Sequence, residues 1–209
     1  IGPLMPCIEV RIKTAKGGVT SKSVENIRDN IIDYLQKVRK DSYEFVLQSD
    51  DCGGYGNDIG EDIVTLMEEL SKIDASASVI VSVNNSLVCY GLESYGNEEQ
   101  KQKYLTKLAT GEFVGAFCLS EPEAGSDATS QATTAEDKGD HYIINGTKNW
   151  ITSGGRADVY LVVAQTDRAK GHKGINVFIV EKGTPGFHIG PKEDKLGIRG
   201  SDTHTLQFN

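Results

Sequence analysis

Two stretches of this 209-residue chain hold residues whose types and spacing suit ligand chemistry. The first runs Phe117-Cys118-Leu119-Ser120-Glu121-Pro122-Glu123-Ala124-Gly125-Ser126-Asp127, and the second Asn145-Gly146-Thr147-Lys148-Asn149-Trp150-Ile151-Thr152. Small residues in the first let backbone N–H groups approach a ligand closely. Ser120 and Ser126 add hydroxyls that donate or accept. Such a loop suits a ligand bearing carbonyl and phosphate oxygens; it is equally readable as a β-loop held by its own Asp and Ser contacts. In the second stretch, Trp150 and Thr152 stand two residues apart, which on a strand puts a flat apolar face and a hydroxyl on one side. That pairing suits a planar heteroaromatic ligand, although a lone strand tryptophan is more often core.

Short strands must carry these loops. After residue 111 the pattern predicts strands at 115–119, 131–136, 141–144, 148–152, 159–165, 175–180, 187–190 and 203–208, with turns at Lys138-Gly139-Asp140 and Asn145-Gly146. Regular short strands joined by glycine turns predict a sandwich or barrel. Ahead of them the chain reads differently. Residues 8–14 alternate as a strand, and 21–39 form a helix whose Val24, Ile27, Ile31, Leu35 and Val38 share a face. Residues 43–47 form a second strand. Lys16-Gly17-Gly18 reads as a plain turn, and 50–58 as a solvated loop. Asp58 with Glu61 suggests a capping box for a helix that buries Ile63, Leu66, Met67, Leu70 and Ile73. For 75–92 the valines favour a strand and the length permits a buried helix, so periodicity leaves both open. Asn97 with Gln100 caps a helix over 98–109 that ends near Gly111.

Composition narrows the partners. A net charge of −8 argues against nucleic acid, which needs a basic face. No apolar run reaches the roughly 18 residues that would span a bilayer. The four cysteines (Cys7, Cys52, Cys89, Cys118) are widely spaced and read as free thiols in a reducing compartment. The four histidines are scattered without a metal-ligand pattern, so no metal site is expected. Residues 1–4, ahead of Met5, read as a cleavage remnant.

From about residue 53 onward the chain resembles the acyl-CoA dehydrogenase family, its short-chain (butyryl-CoA) branch in particular. Ala116 to Asp127 matches the first family signature, Asn145 to Thr152 the second, and Lys192-Glu193-Asp194-Lys195-Leu196-Gly197-Ile198-Arg199-Gly200-Ser201-Asp202-Thr203 the third; Ser82-Val83-Asn84-Asn85-Ser86-Leu87 fits the short-chain branch. The resemblance implies an α+β architecture: a strand–helix–strand unit of unknown role at 5–50, helices of the family's N-terminal domain at 51–112, and an antiparallel β-barrel middle domain at 113–209. It makes 75–92 a buried helix. It implies FAD as cofactor, held by Phe117, Cys118, Leu119, Ser120, Gly125, Ser126, Trp150, Ile151 and Thr152, with Ser126 also meeting the acyl-CoA substrate. The implied reaction is α-proton removal by a carboxylate with hydride transfer from the β-carbon to the flavin, as in fatty acid β-oxidation. Electrons then pass to an electron-transfer flavoprotein. The implied catalytic glutamate lies beyond Asn209, so these 209 residues alone are expected to be inactive. A full-length homo-oligomer in the bacterial cytoplasm or mitochondrial matrix is expected, with no nucleic acid and no membrane. Two alternatives stand beside this: a non-catalytic flavin- or acyl-CoA-binding module, or an engineered chimera with an unrelated N-terminal function.

Overall fold

The computed structural model describes residues 8–11, 14–15, 18–19, 23–37, 45–48 and 62–209. The expected loop at 50–58, the Asp58–Glu61 capping box, the turn residues Lys16 and Gly17, Cys7, Cys52 and the remnant 1–4 lie outside these residues.

The chain divides into two compact units, Ile1–Phe113 with Lys195–Ser201, and Val114–Asp194 with Asp202–Asn209. In the first, β1 (Ile8–Arg11) pairs in parallel with β4 (Phe45–Gln48), Ile8 opposite Phe45. A parallel pair needs a crossover, and the helix Val24–Lys37 lies between the two strands in the chain, burying Val24 and Ile27. The expected strand at 8–14 stops at Arg11; β2 (Thr14–Ala15) and β3 (Gly18–Val19) form a separate short antiparallel pair.

Helix Ile63–Ile73 starts at Asp62, whose carboxylate accepts the Thr65 N–H at 2.8 Å, and it buries Leu66 and Leu70. Met67, expected in the core, is only half-buried. Asp74 ends this helix and caps the next, accepting the Ser76 N–H at 2.6 Å. Ala75–Val83, the π-helical turn Asn84–Cys89 and Tyr90–Tyr95 make one continuous helix of 21 residues. Ala77, Ile80, Val81, Val88 and Leu92 are buried at helical spacing, and that packing overrides the strand propensity of its valines. By length and composition this helix can cross a bilayer, which corrects the sequence estimate. Of its apolar window, 39% is buried. The Asn97–Gln100 capping box forms as expected, opening the helical run Glu98–Gln100, Lys101–Leu105 and Thr106–Ala109. Gly111, at φ 74°, follows its end. Segment Lys195–Ser201 joins this unit, the Gly200 N–H donating to Ser76 Oγ at 3.2 Å.

The second unit is a curled seven-stranded half-barrel of β5 (Gly115–Cys118), β6 (Thr134–Asp137), β7 (Tyr142–Thr152), β8 (Val159–Gln165), β9 (Ile175–Glu181), β10 (Phe187–Lys192) and β11 (Thr203–Phe208). Its order is β10-β11-β7-β6-β8-β5, with β9 on β8. The sheet is mixed, since β5 runs parallel to β8, so it is not antiparallel throughout. All seven residues of β8 are buried. Tyr160, Phe187 and Phe208 close the core, the first two edge-to-face at 4.7 Å and the last two stacked at 5.0 Å.

One expected turn is absent. Asn145-Gly146 lies inside β7, which replaces the two separate strands at 141–144 and 148–152. Gly146 is glycine for another reason. Its φ is 153°, and a Cβ there would fall 2.7 Å from Thr133 Cα; the backbones pass too closely for a side chain. The Lys138-Gly139-Asp140 turn does form, with Gly139 at φ 95° and the Lys138 N–H on the His141 carbonyl.

Candidate functional site

Every residue singled out as cofactor-binding lies in the second unit. β5 delivers the first loop, whereas the second stretch, Asn145–Thr152, lies within strand β7 and is not a loop; the Asn149 N–H donates to the Ser120 carbonyl at 2.8 Å, joining the two. Glu121 and Ala124 close a tight turn through two backbone hydrogen bonds. That turn leaves Gly125 and Ser126 exposed. Asp127 folds back, accepting the hydroxyls of Thr129 and Ser130. These two hydrogen bonds hold its carboxyl below the usual range.

The expected residues do not all present side chains outward. Cys118 and Ile151 are core, at 0% and 2% exposure, so only their backbone can face a ligand. Burial pushes the Cys118 thiol up, out of reach of thiolate chemistry. Phe117, Leu119, Ser120 and Thr152 are half-buried. Trp150 is 63% exposed, so the core reading of this tryptophan is excluded.

The cause is a β-bulge. Ile151 pairs with His204 and Lys148 with Leu206, which leaves Asn149 and Trp150 opposite Thr205 alone. Trp150 sits at φ 58°, a left-handed conformation that a bulky residue adopts only under constraint. The bulge turns Trp150 out of the sheet and breaks the simple alternation from which a shared face with Thr152 was expected. Thr152 itself remains paired with Thr203 on β11.

What holds the two stretches in place is a pair the sequence reading passed over. Lys148 Nζ, wholly buried, donates to Glu121 Oε1 at 2.7 Å, the Leu119 carbonyl at 3.0 Å and Gln131 Oε1 at 3.3 Å. The Glu121 carboxylate also accepts the N–H groups of Ala132 and Thr133. Burial works against the Glu121 charge, but hydrogen bonds from Lys148, Thr133 and Ala132 together hold its carboxyl below the ordinary value. Burial likewise pulls the Lys148 ammonium down, against the opposing pull of Glu121. The two shifts press the pair in opposite senses. With three N–H groups on the carboxylate and three oxygens around the ammonium, the ionised pair is the state this geometry fits. The one available signal was a glutamate and a lysine of opposite charge, one in each motif.

The surface so built has an exposed indole, a serine hydroxyl, exposed backbone and a half-buried threonine. At Gly125 an added Cβ would meet nothing within 4 Å. Among the described residues nothing requires glycine there, which leaves its open face to a ligand's close approach. These donors and the flat ring fit a flavin ring system with its carbonyl oxygens.

Comparison with known proteins identifies the family. The family model "Acyl-CoA dehydrogenase, N-terminal domain" matches residues 32–112, reaching upstream of residue 53, and "Acyl-CoA dehydrogenase, middle domain" matches 116–209. A curated relative, the short-chain specific acyl-CoA dehydrogenase of Clostridium acetobutylicum, is 51% identical over 160 residues, 77% of this chain and 42% of the relative. The butyryl-CoA dehydrogenase structure from Megasphaera elsdenii superposes with a TM-score of 0.69 at 46% identity, covering 75% of this chain and 42% of that one. A glutaryl-CoA dehydrogenase from Mycobacterium smegmatis in complex with FADH2 superposes at 0.66 with 40% identity, covering 70% of this chain and 37% of that one. The chain thus spans less than half the length of these relatives. With both domain models in sequence order, the half-barrel in place and the signature stretches joined on its strands, the chain belongs to the acyl-CoA dehydrogenase family.

Proposed function

We propose that this chain is the flavin-positioning part of an FAD-dependent dehydrogenase acting on short-chain acyl-CoA. The observation that carries it is the exposed Trp150, turned out by a strained bulge beside the exposed Gly125 and Ser126 of a loop anchored by the buried Glu121 and Lys148. Bound FAD would supply the hydride acceptor for the β-carbon of the substrate. Ser120, Gly125 and Ser126 would offer hydrogen-bonding groups to it, Trp150 a flat face, and Thr152 a hydroxyl. Phe117, Leu119 and the backbones of Cys118 and Ile151 would complete the lining, and Ser126 would also meet the acyl-CoA.

The loop carboxylates Glu121 and Asp127 are committed to contacts within the chain. Following the family resemblance, we assign α-proton removal to a carboxylate outside these 209 residues. The short-chain preference is supported by the clostridial and Megasphaera relatives, and the cofactor by the FADH2 complex. An electron-transfer flavoprotein as acceptor and a homo-oligomeric whole protein follow from the same reading. So does a reducing compartment, bacterial cytoplasm or mitochondrial matrix, which suits Cys89 and Cys118 standing outside any disulfide.

The test is FAD titration of the protein carrying this chain, followed by flavin fluorescence. Stoichiometric binding, weakened by Trp150→Ala and by Gly125→Ala, is the expected result. A protein that takes up no FAD contradicts it.

A further inference from the structure

We propose that Glu121 and Lys148 are positioning residues: their buried ion pair locks the 119–133 loop onto β7, so that the 120–126 and 150–152 surfaces move as one rigid platform. The ligand of that platform rests on the flavin reading above; its rigidity does not.

Lys148 grips the loop at both ends. Its ammonium reaches Leu119 and Glu121 where the loop leaves β5, and Gln131 where it returns. Glu121 reaches across the same loop to the N–H groups of Ala132 and Thr133. Lys148 also stands directly before the bulge that turns out Trp150, and the Asn149 N–H between them holds the Ser120 carbonyl. A single side chain thus registers the exposed loop against the bulge. Stability alone does not call for charges here, because a buried pair is often no better than apolar residues of equal volume. What an apolar pair cannot do is fix the loop ends by direction and distance. An ammonium with three named acceptors does.

The discriminating variant is the double substitution Glu121→Gln with Lys148→Met, which removes both charges together. Two readouts are needed: hydrogen–deuterium exchange of peptides covering 119–133 and 148–155, and FAD affinity. The double variant is expected to stay folded, to exchange about tenfold faster in both segments together, and to bind FAD about tenfold more weakly. If exchange rises only in 119–133, or FAD affinity stays within about twofold of the parent, the positioning role is refuted. Should the double variant fail to fold, Gln131→Leu removes one Lys148 acceptor and is judged by the same two readouts. Should the parent itself hold no FAD, the flavin reading fails and the exchange pattern alone decides the positioning claim.

Discussion

At the scale of single residues, two glycines that look alike in the sequence act differently. Gly146→Ala drives a methyl into Thr133 from a backbone at φ 153°, and should cost about 1–3 kcal/mol in urea denaturation. Gly125→Ala meets open space; it should leave the denaturation midpoint unchanged while weakening FAD binding. Lys148→Met strands the Glu121 carboxylate in the interior and should cost about 3–5 kcal/mol. The pH dependence has a definite sign. The Glu121 carboxyl is held below its ordinary value, so its contribution is present above the unfolded value of about 4.3 and is lost as pH falls through the folded one. Glu121→Gln should therefore flatten the acid limb of the stability profile, measured by denaturation at stepped pH. Ser126, Gly125 and Trp150, all exposed in the structure, were singled out by residue type in the signature stretches. The Glu121–Lys148 pair was not, because charged residues in a loop and on a strand ordinarily read as solvated.

At the scale of elements, local signals worked where the deciding interaction is local. The Asn97–Gln100 capping box could be read directly because both partners lie within one turn. Asn97→Ala should cost about 1 kcal/mol of stability, checked by thermal or urea unfolding. The strands at 159–165 and 203–208 matched residue for residue. The errors arose where tertiary contacts rule. Residues 75–92 are valine-rich yet helical because burial of Ala77, Ile80, Val81, Val88 and Leu92 decides. Asn145-Gly146 has the chemistry of a tight turn, but β6 and β11 both hydrogen-bond to β7 across it and keep it extended. The bulge at Asn149 and Trp150 depends on register against Thr205, a residue far away in sequence, and no local pattern reveals it.

At the scale of the molecule, the half-barrel carries one signature stretch in the loop after β5 and the other within β7, while redox chemistry would be left to a cofactor. Family membership was legible because several specific motifs recur in order; the family's N-terminal domain model extends the match back to residue 32. Thr152→Ala should slow flavin reduction by about 1 kcal/mol of barrier, roughly fivefold, if its hydroxyl meets the flavin. The most direct measurement is anaerobic addition of butyryl-CoA to the FAD-loaded protein that carries this chain, following the absorbance of oxidised flavin. Loss of that absorbance, slowed in Thr152→Ala, is the predicted result. A bound flavin that stays fully oxidised in the presence of excess butyryl-CoA would contradict the proposed dehydrogenase.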